Sequence, residues 1–190
     1  PTDPIARSRQ APAPQHLMGT DLLGRDVLSR VIYGSRISMM LGLISVGIGL
    51  SAGTLMGLPA GYFGGRVDAV IMRVIDSMLA FPGMLLALVV IAALGTGLTN
   101  VMIAVGVSSI PQYARLVRGS SLSIREQDFV LSARTIGSSA VRIMTRHILP
   151  NLVGPVIVLS TLQVGQAILV GASLSYLGMG AQPPTPEWGL

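Results

Sequence analysis

Ile37 to Gly65 and Ser77 to Ala114 carry no charged side chain. A helix on the surface of a soluble domain keeps one polar face. Stretches this long without charge fit the hydrocarbon core of a bilayer, which a helix crosses in about 20 residues. The second stretch must also be interrupted. As a single helix it reaches about 57 Å at 1.5 Å per residue, against a core about 30 Å thick. Gly95-Thr96-Gly97-Leu98-Thr99-Asn100 supplies the turn.

Composition agrees. Charged residues are 11% of the chain, against roughly 25% in an ordinary globular domain, and the mean hydropathy is +0.68. The fold class expected is an all-α polytopic membrane bundle with about four spans. Residues 1–36 read as an external segment, extended or irregular, with a short helix near Asp26–Tyr33. The transmembrane core occupies 37–172, with spans over Ile37–Ala60, Ile71–Leu94, Thr99–Arg118 and Asn151–Gly171. A polar loop over 119–150 folds as two short helices, and 173–190 is a Gly/Pro-rich, exposed external tail. The chain begins at Pro1, as a fragment starting inside a loop does.

Span parity puts 1–36, the turn at 95–98 and the tail on one side. The segment 61–73 and the loop 115–150 fall on the other. Of the thirteen basic residues, all Arg, five lie on the first side and eight on the second. The positive-inside tendency then makes 115–150 cytoplasmic.

Inside the spans, Ser45, Gly49, Gly53, Gly57 and Gly61 recur every fourth residue. Such a stripe lets another backbone approach closely. Gly49, Gly53 and Gly57 are therefore the packing candidates, against a helix of this chain or of a partner subunit. Phe81-Pro82-Gly83 interrupts span two, because proline removes a backbone hydrogen bond. Arg73 and Asp76 are spaced to pair along one helix. Gln163 and Gln166 share a face of span four, where they either touch solute or make interhelical hydrogen bonds.

Several chemistries are excluded. Without Lys there is no phosphate-binding P-loop, so the chain hydrolyses no ATP by that motif. Without Cys there are no disulfides or thiolate metal sites. The two histidines, His16 and His147, fall on opposite sides by parity and share no metal or catalytic centre. No HExxH motif occurs. The chain is expected not to be an enzyme. Arg residues scattered between apolar spans, with few aromatics, also argue against nucleic acid as a partner.

The loop itself has a legible pattern. Glu126 and Asp128 open it, and Arg134, Arg142 and Arg146 close it, in keeping with helix dipoles. Phe129, Val130, Ala133 and Ile136 form one amphipathic face. Gly137 can end the first helix in a left-handed conformation, and Pro150 falls where the next span starts. By physics alone this is either a lipid-facing amphipathic element or a docking site for a soluble partner.

Leu131-Ser132-Ala133, Gly137 and His147-Ile148-Leu149-Pro150 follow the spacing Glu-Ala-Ala, three residues, Gly, nine residues, Ile, one residue, Leu-Pro. That spacing resembles the ATPase-docking loop of bacterial ABC importer permeases. The second Ala, the Gly and the Leu-Pro match, whereas Leu131 and His147 replace the Glu and the Ile. The segments HLMGTDLLGRDVLSRVIYGSRISM (16–39), GYFGGRVDAVIMRVIDSMLAFPGMLLAL (61–88), REQDFVLSARTIG (125–137), RHILPN (146–151) and ASLSYLGMGAQPPTPEWG (172–189) are similar to the dipeptide/oligopeptide/nickel branch, specifically to the second of its paired membrane subunits. The resemblance implies a six-span parent whose first and last spans are missing here. It also implies a second homologous permease subunit, two cytoplasmic ATPase subunits, an external solute-binding protein and a multi-pass location in the bacterial inner membrane. ATP and Mg would sit on the ATPase subunits, with no cofactor on this chain. The coupling residues it points to are Asp128, Ser132, Ala133, Arg134, Gly137, Arg142, Leu149 and Pro150, with Asp128 or Arg134 in place of the family's Glu. Gln163 and Gln166 are the candidates for the pathway. A secondary transporter or channel subunit without an ATPase is the alternative.

Overall fold

The computed structural model describes residues 8–181 and 185–189. The expectations falling on 1–7, 182–184 and 190 lie outside the described residues. Seven α-helices follow in order, α1 Val27–Phe63, α2 Gly65–Leu79, α3 Gly83–Leu94, α4 Leu98–Arg125, α5 Asp128–Thr135, α6 Ala140–Ile143 and α7 Val153–Tyr176. A π turn (Met144–Ile148) and a 3-10 turn (Leu149–Leu152) join α6 to α7. No named strand occurs among the described residues.

The first span differs from its expected bounds. The short helix near Asp26 and the span from Ile37 are one 37-residue helix, α1. Nothing between Tyr33 and Ile37 breaks it, and at 1.5 Å per residue it is about 55 Å long. Asp26 is its N-cap, accepting from Ser29 N at 2.8 Å. The segment before it is irregular but fastened. The Asp21 carboxylate accepts from Leu23 N (2.8 Å), Arg25 N (2.9 Å) and Arg25 Nε (2.8 Å). His16 Nδ1 lies 3.1 Å from Asp26 Oδ1.

The expected second span, Ile71–Leu94, is two helices meeting at 91°. The bend falls at Ala80, Phe81 and Pro82, where proline cannot continue the ladder. Its first half also starts earlier, at Gly65. Gly64 and Gly65, with φ of 65° and 51°, turn the chain from α1 into α2. The carbonyls left open at the end of α1 are taken by Arg125, whose Nη1 donates to Gly61 O at 2.9 Å.

Among the described residues, two helical stretches are long and apolar enough to cross a membrane alone, Val27–Phe63 and Ala140–Tyr176, and the bent α2–α3 pair makes a third. The expected third span, Thr99–Arg118 within α4, does not reach that hydropathy. Its position explains why. Helix α4 packs against α1, α3 and α7, so much of its surface meets protein rather than lipid. It also continues to Arg125, so the first turns of the expected loop are helix. Span four likewise gains length at both ends. Helical turns run unbroken from Ala140, and α7 extends to Tyr176. The π turn precedes Pro150, whose missing N–H would otherwise interrupt a regular ladder.

The small-residue stripe forms the main seam of the bundle. Ser45 Oγ donates to Met102 O at 2.9 Å. A Cβ added at Gly49 would meet Ser109 Oγ at 1.9 Å, at Gly53 Tyr113 Cβ at 2.4 Å, at Gly57 Ala114 O at 2.4 Å, and at Gly61 Ser121 Cβ at 2.6 Å. All these partners lie on α4. Lipid is as apolar as leucine, so burial drives little of this association, and close backbone packing has to hold the pair. Gly106 of α4 reciprocates against Ile48 Cβ, 2.7 Å from its would-be Cβ.

The tail is not simply exposed. Glu187 is 5% exposed and Ala181 is buried. Trp188 Nε1 donates to Val31 O at 3.0 Å. Its backbone N approaches Ser38 Oγ at 3.4 Å. A Cβ on Gly189 would fall 2.5 Å from Ala172 O. The tail therefore wedges between α1 and α7.

Candidate docking loop and polar face

The loop expected to dock a partner is built from α5, a glycine turn and α6. Ser138 N donates to Ala133 O (3.1 Å) and Gly137 N to Arg134 O (3.0 Å), the paired bonds of a Schellman ending. That ending needs a left-handed residue, and Gly137 has φ 80°. Ser139 then caps α6, accepting from Arg142 N at 3.4 Å.

Packing divides the loop residues into two sets. Val130 and Ala133 of α5 and Ile143 and Ile148 beyond them join Leu58 of α1 and Val117 of α4 in one buried cluster. Ala133 is thus buried within its own bundle. The expected amphipathic face is split for the same reason, because Phe129 and Ile136 point away from that cluster. Ile136 is 82% exposed and Val141 65% exposed. Asp128, Ser132, Arg142, Leu149 and Pro150 are also exposed. The Arg134 guanidinium carbon stands 5.6 Å from the Tyr62 ring centroid, within cation–π range. His147 lies beside Phe129, with ring centroids 6.4 Å apart.

Two ion pairs above this loop were not legible in the sequence. Asp76 pairs with Arg115 of α4 at 2.7 Å, which corrects the expected Arg73–Asp76 pair. Asp68 and Arg118 form a bidentate pair. Both tie α2 to α4 across dozens of residues, a register that spacing along one helix cannot reveal. The first pair is exposed, at 57% for each side chain, and the second is half-buried.

Farther along the bundle, Gln163 of α7 donates from Nε2 to Gln112 Oε1 of α4. Gln163 thus makes an interhelical hydrogen bond. Gln166 lines the same cavity, about 360 Å³, between α1, α3, α4 and α7. Gln112 was missed, because a single amide in an apolar run carries no periodic signal. Both members of the amide pair are on an open face of the bundle. An amide turned to hydrocarbon is costly, so polar side chains in spans face protein or water-filled cavities.

At the opposite end, burial pushes the Glu187 carboxyl above the usual carboxylate range, opposed by the Ser175 hydroxyl beside it. Hydrogen bonds from the Ser29 side chain and backbone hold the Asp26 carboxyl below that range, His16 adding to them. No three His, Asp or Glu residues among the described ones come together as a metal site.

Comparison with known proteins agrees with this architecture. The chain is 47% identical over 183 residues to the glutathione transport system permease protein GsiD of Pectobacterium atrosepticum, covering 96% of this chain and 61% of that protein. It is 53% identical over 178 residues to GsiD of Shigella sonnei, covering 94% and 59%. The chain thus spans about three fifths of the length of these relatives. Among solved structures, an inward-facing MetNI methionine ABC transporter superposes with a TM-score of 0.66 at 17% identity, covering 81% of this chain and 77% of that one. A second, an amino acid ABC transporter, gives 0.54 at 19% identity over the same shares. These two likenesses concern the fold alone. The family model for the binding-protein-dependent transport system inner membrane component matches residues 53–190. With the helical bundle, the glycine-hinged loop and these relatives in agreement, the chain belongs to the family of binding-protein-dependent transport system inner membrane components.

Proposed function

We propose that this chain is the core of a permease subunit in an ATP-driven importer of peptides or related small solutes. It forms half of the translocation path and docks a cytoplasmic ATPase. The carrying observation is the α5–α6 protrusion. Val130, Ala133 and Ile143 root it in the bundle, while Ile136 and Val141 stand in the open beside Arg142. Exposed apolar side chains on an element so rooted support a docking surface for a partner. The eight arginines at this end of the bundle support a cytoplasmic location for it, and the inner membrane of a bacterium as the compartment.

The relatives named for glutathione transport support the peptide class, since glutathione is a tripeptide. The amide-bearing face at Gln112, Gln163 and Gln166 supports a polar path lined by this chain, completed by a second homologous permease subunit. ATP and Mg belong to two ATPase subunits, and solute is delivered by an external binding protein. The test is co-purification of the membrane complex in detergent. An ATPase subunit retained with this permease supports the proposal. A transport-competent permease that retains none refutes it.

A further inference from the structure

The cavity between α1, α3, α4 and α7 holds chemistry that the importer reading alone does not specify. No charged side chain lines it. Its polar groups are three hydroxyls and three side-chain amides. The hydroxyls are already engaged as donors. Ser45 Oγ donates to Met102 O, Ser108 Oγ to Val105 O and Ser109 Oγ to Gly106 O. What remains on each is acceptor capacity.

The amides are differently placed. The Gln112–Gln163 bond uses one Nε2 hydrogen of Gln163 and the Oε1 of Gln112. That leaves the Gln112 NH2 as donor and the Gln163 Oε1 as acceptor, on an exposed face of the bundle. Gln166 adds a further amide one helical turn along the same face of α7. A neutral donor and a neutral acceptor side by side match the C=O and N–H of a peptide unit. A charged solute group gains no counter-charge here and would be desolvated at a cost.

We infer that this cavity is a subsite for the uncharged backbone amides of a passing peptide, with Gln112 and Gln163 as its reading pair. The inference rests on the peptide-importer reading and narrows it. Solute is followed through this stretch of the path by its peptide bonds, and its charged termini are accommodated elsewhere.

The test uses the assembled transporter in proteoliposomes, with a tripeptide and its backbone N-methylated analogue as probes. Both are supplied on saturating binding protein. The wild type should transport the unmodified peptide faster. In Gln112→Met and Gln163→Met that preference should fall by about 2- to 12-fold, the span one neutral hydrogen bond supplies. In this Cys-free chain, Gln166→Cys gives a second reading that needs neither variant to assemble. The peptide should slow its alkylation, and the N-methylated analogue should not. An unchanged preference in both Met variants overturns the subsite. So does alkylation of Gln166→Cys that is blocked by complex assembly and indifferent to peptide, since the partner subunit then fills the cavity. If the wild type carries no peptide at all, the importer reading fails, and this inference fails with it.

Discussion

A methyl group on Gly53 probes the α1–α4 seam most sharply. The added Cβ would stand 2.4 Å from Tyr113 Cβ, 2.9 Å from Ala114 N and 3.0 Å from Ile110 O. Carbon atoms rest at about 3.5–4.0 Å, so roughly 1 Å of room must be found. None of the three obstructing atoms is the end of a flexible side chain. The helices have to move apart as bodies, and overpacking of this kind costs about 1–3 kcal/mol. Gly47 is the matched control on the same helix, because its added Cβ meets nothing within 4 Å. There Ala is preferred over Gly by up to about 1 kcal/mol on helix propensity. Gly53→Ala and Gly47→Ala should therefore shift stability in opposite directions, with a gap of about 1–4 kcal/mol. Thermal melting of the detergent-solubilised complex reads this directly, at about 2–4 °C per kcal/mol for a chain of this length. If Gly53→Ala melts at or above Gly47→Ala, the close α1–α4 approach is wrong.

The two ion pairs should separate by burial. Asp76→Ala breaks an exposed pair and should cost about 0–1 kcal/mol, whereas Asp68→Ala strands Arg118 in a half-buried site and should cost more, by chemical denaturation. Topology predicts that cysteine at Ala13 is labelled by an impermeant thiol reagent in intact cells and that cysteine at Ser139 is shielded; the reverse pattern inverts the bundle. Burial raises the Glu187 carboxyl, so its neutral form is favoured in the folded state. The stabilisation is fully present below the unfolded pKa and is lost as pH rises through the raised folded value. A cysteine at Thr185 should thus become more reactive with rising pH, after correction for the thiol's own ionisation, and Glu187→Gln should flatten that rise.

Helix existence was legible because charge-free runs and turn glycines are strong local signals. The stripe from Ser45 to Gly61 announced close packing, but its partner helix came only from the fold. Gly137 was legible because a left-handed turn selects glycine. Boundaries fared worse. Nothing local separates Asp26–Tyr33 from the span after it, so α1 is one helix. The bend at Pro82 was legible as a break, but its 91° angle was not. Cross-helix pairs such as Asp68–Arg118, Asp76–Arg115 and Gln112–Gln163 depend on register between distant helices, which single-helix spacing does not encode. The seat of Ala133 is the same kind of fact. A small apolar residue fits a partner groove or its own core equally well until the neighbours are known.

The central claim is that the α5–α6 protrusion docks and couples an ATPase. Ile136 tests it best, because it is 82% exposed and outside the buried cluster that roots the loop. Ile136→Asp should leave the chain folded in the membrane while weakening ATPase association and abolishing solute-stimulated ATP hydrolysis. Gly137→Val should do the same through its strained φ of 80°. The measurement is solute-stimulated hydrolysis by the reconstituted complex, with ATPase retention determined on the same preparation. Loss of both in Ile136→Asp is the expected result. Normal retention and normal stimulation would contradict the account and leave α5–α6 as a membrane-surface element.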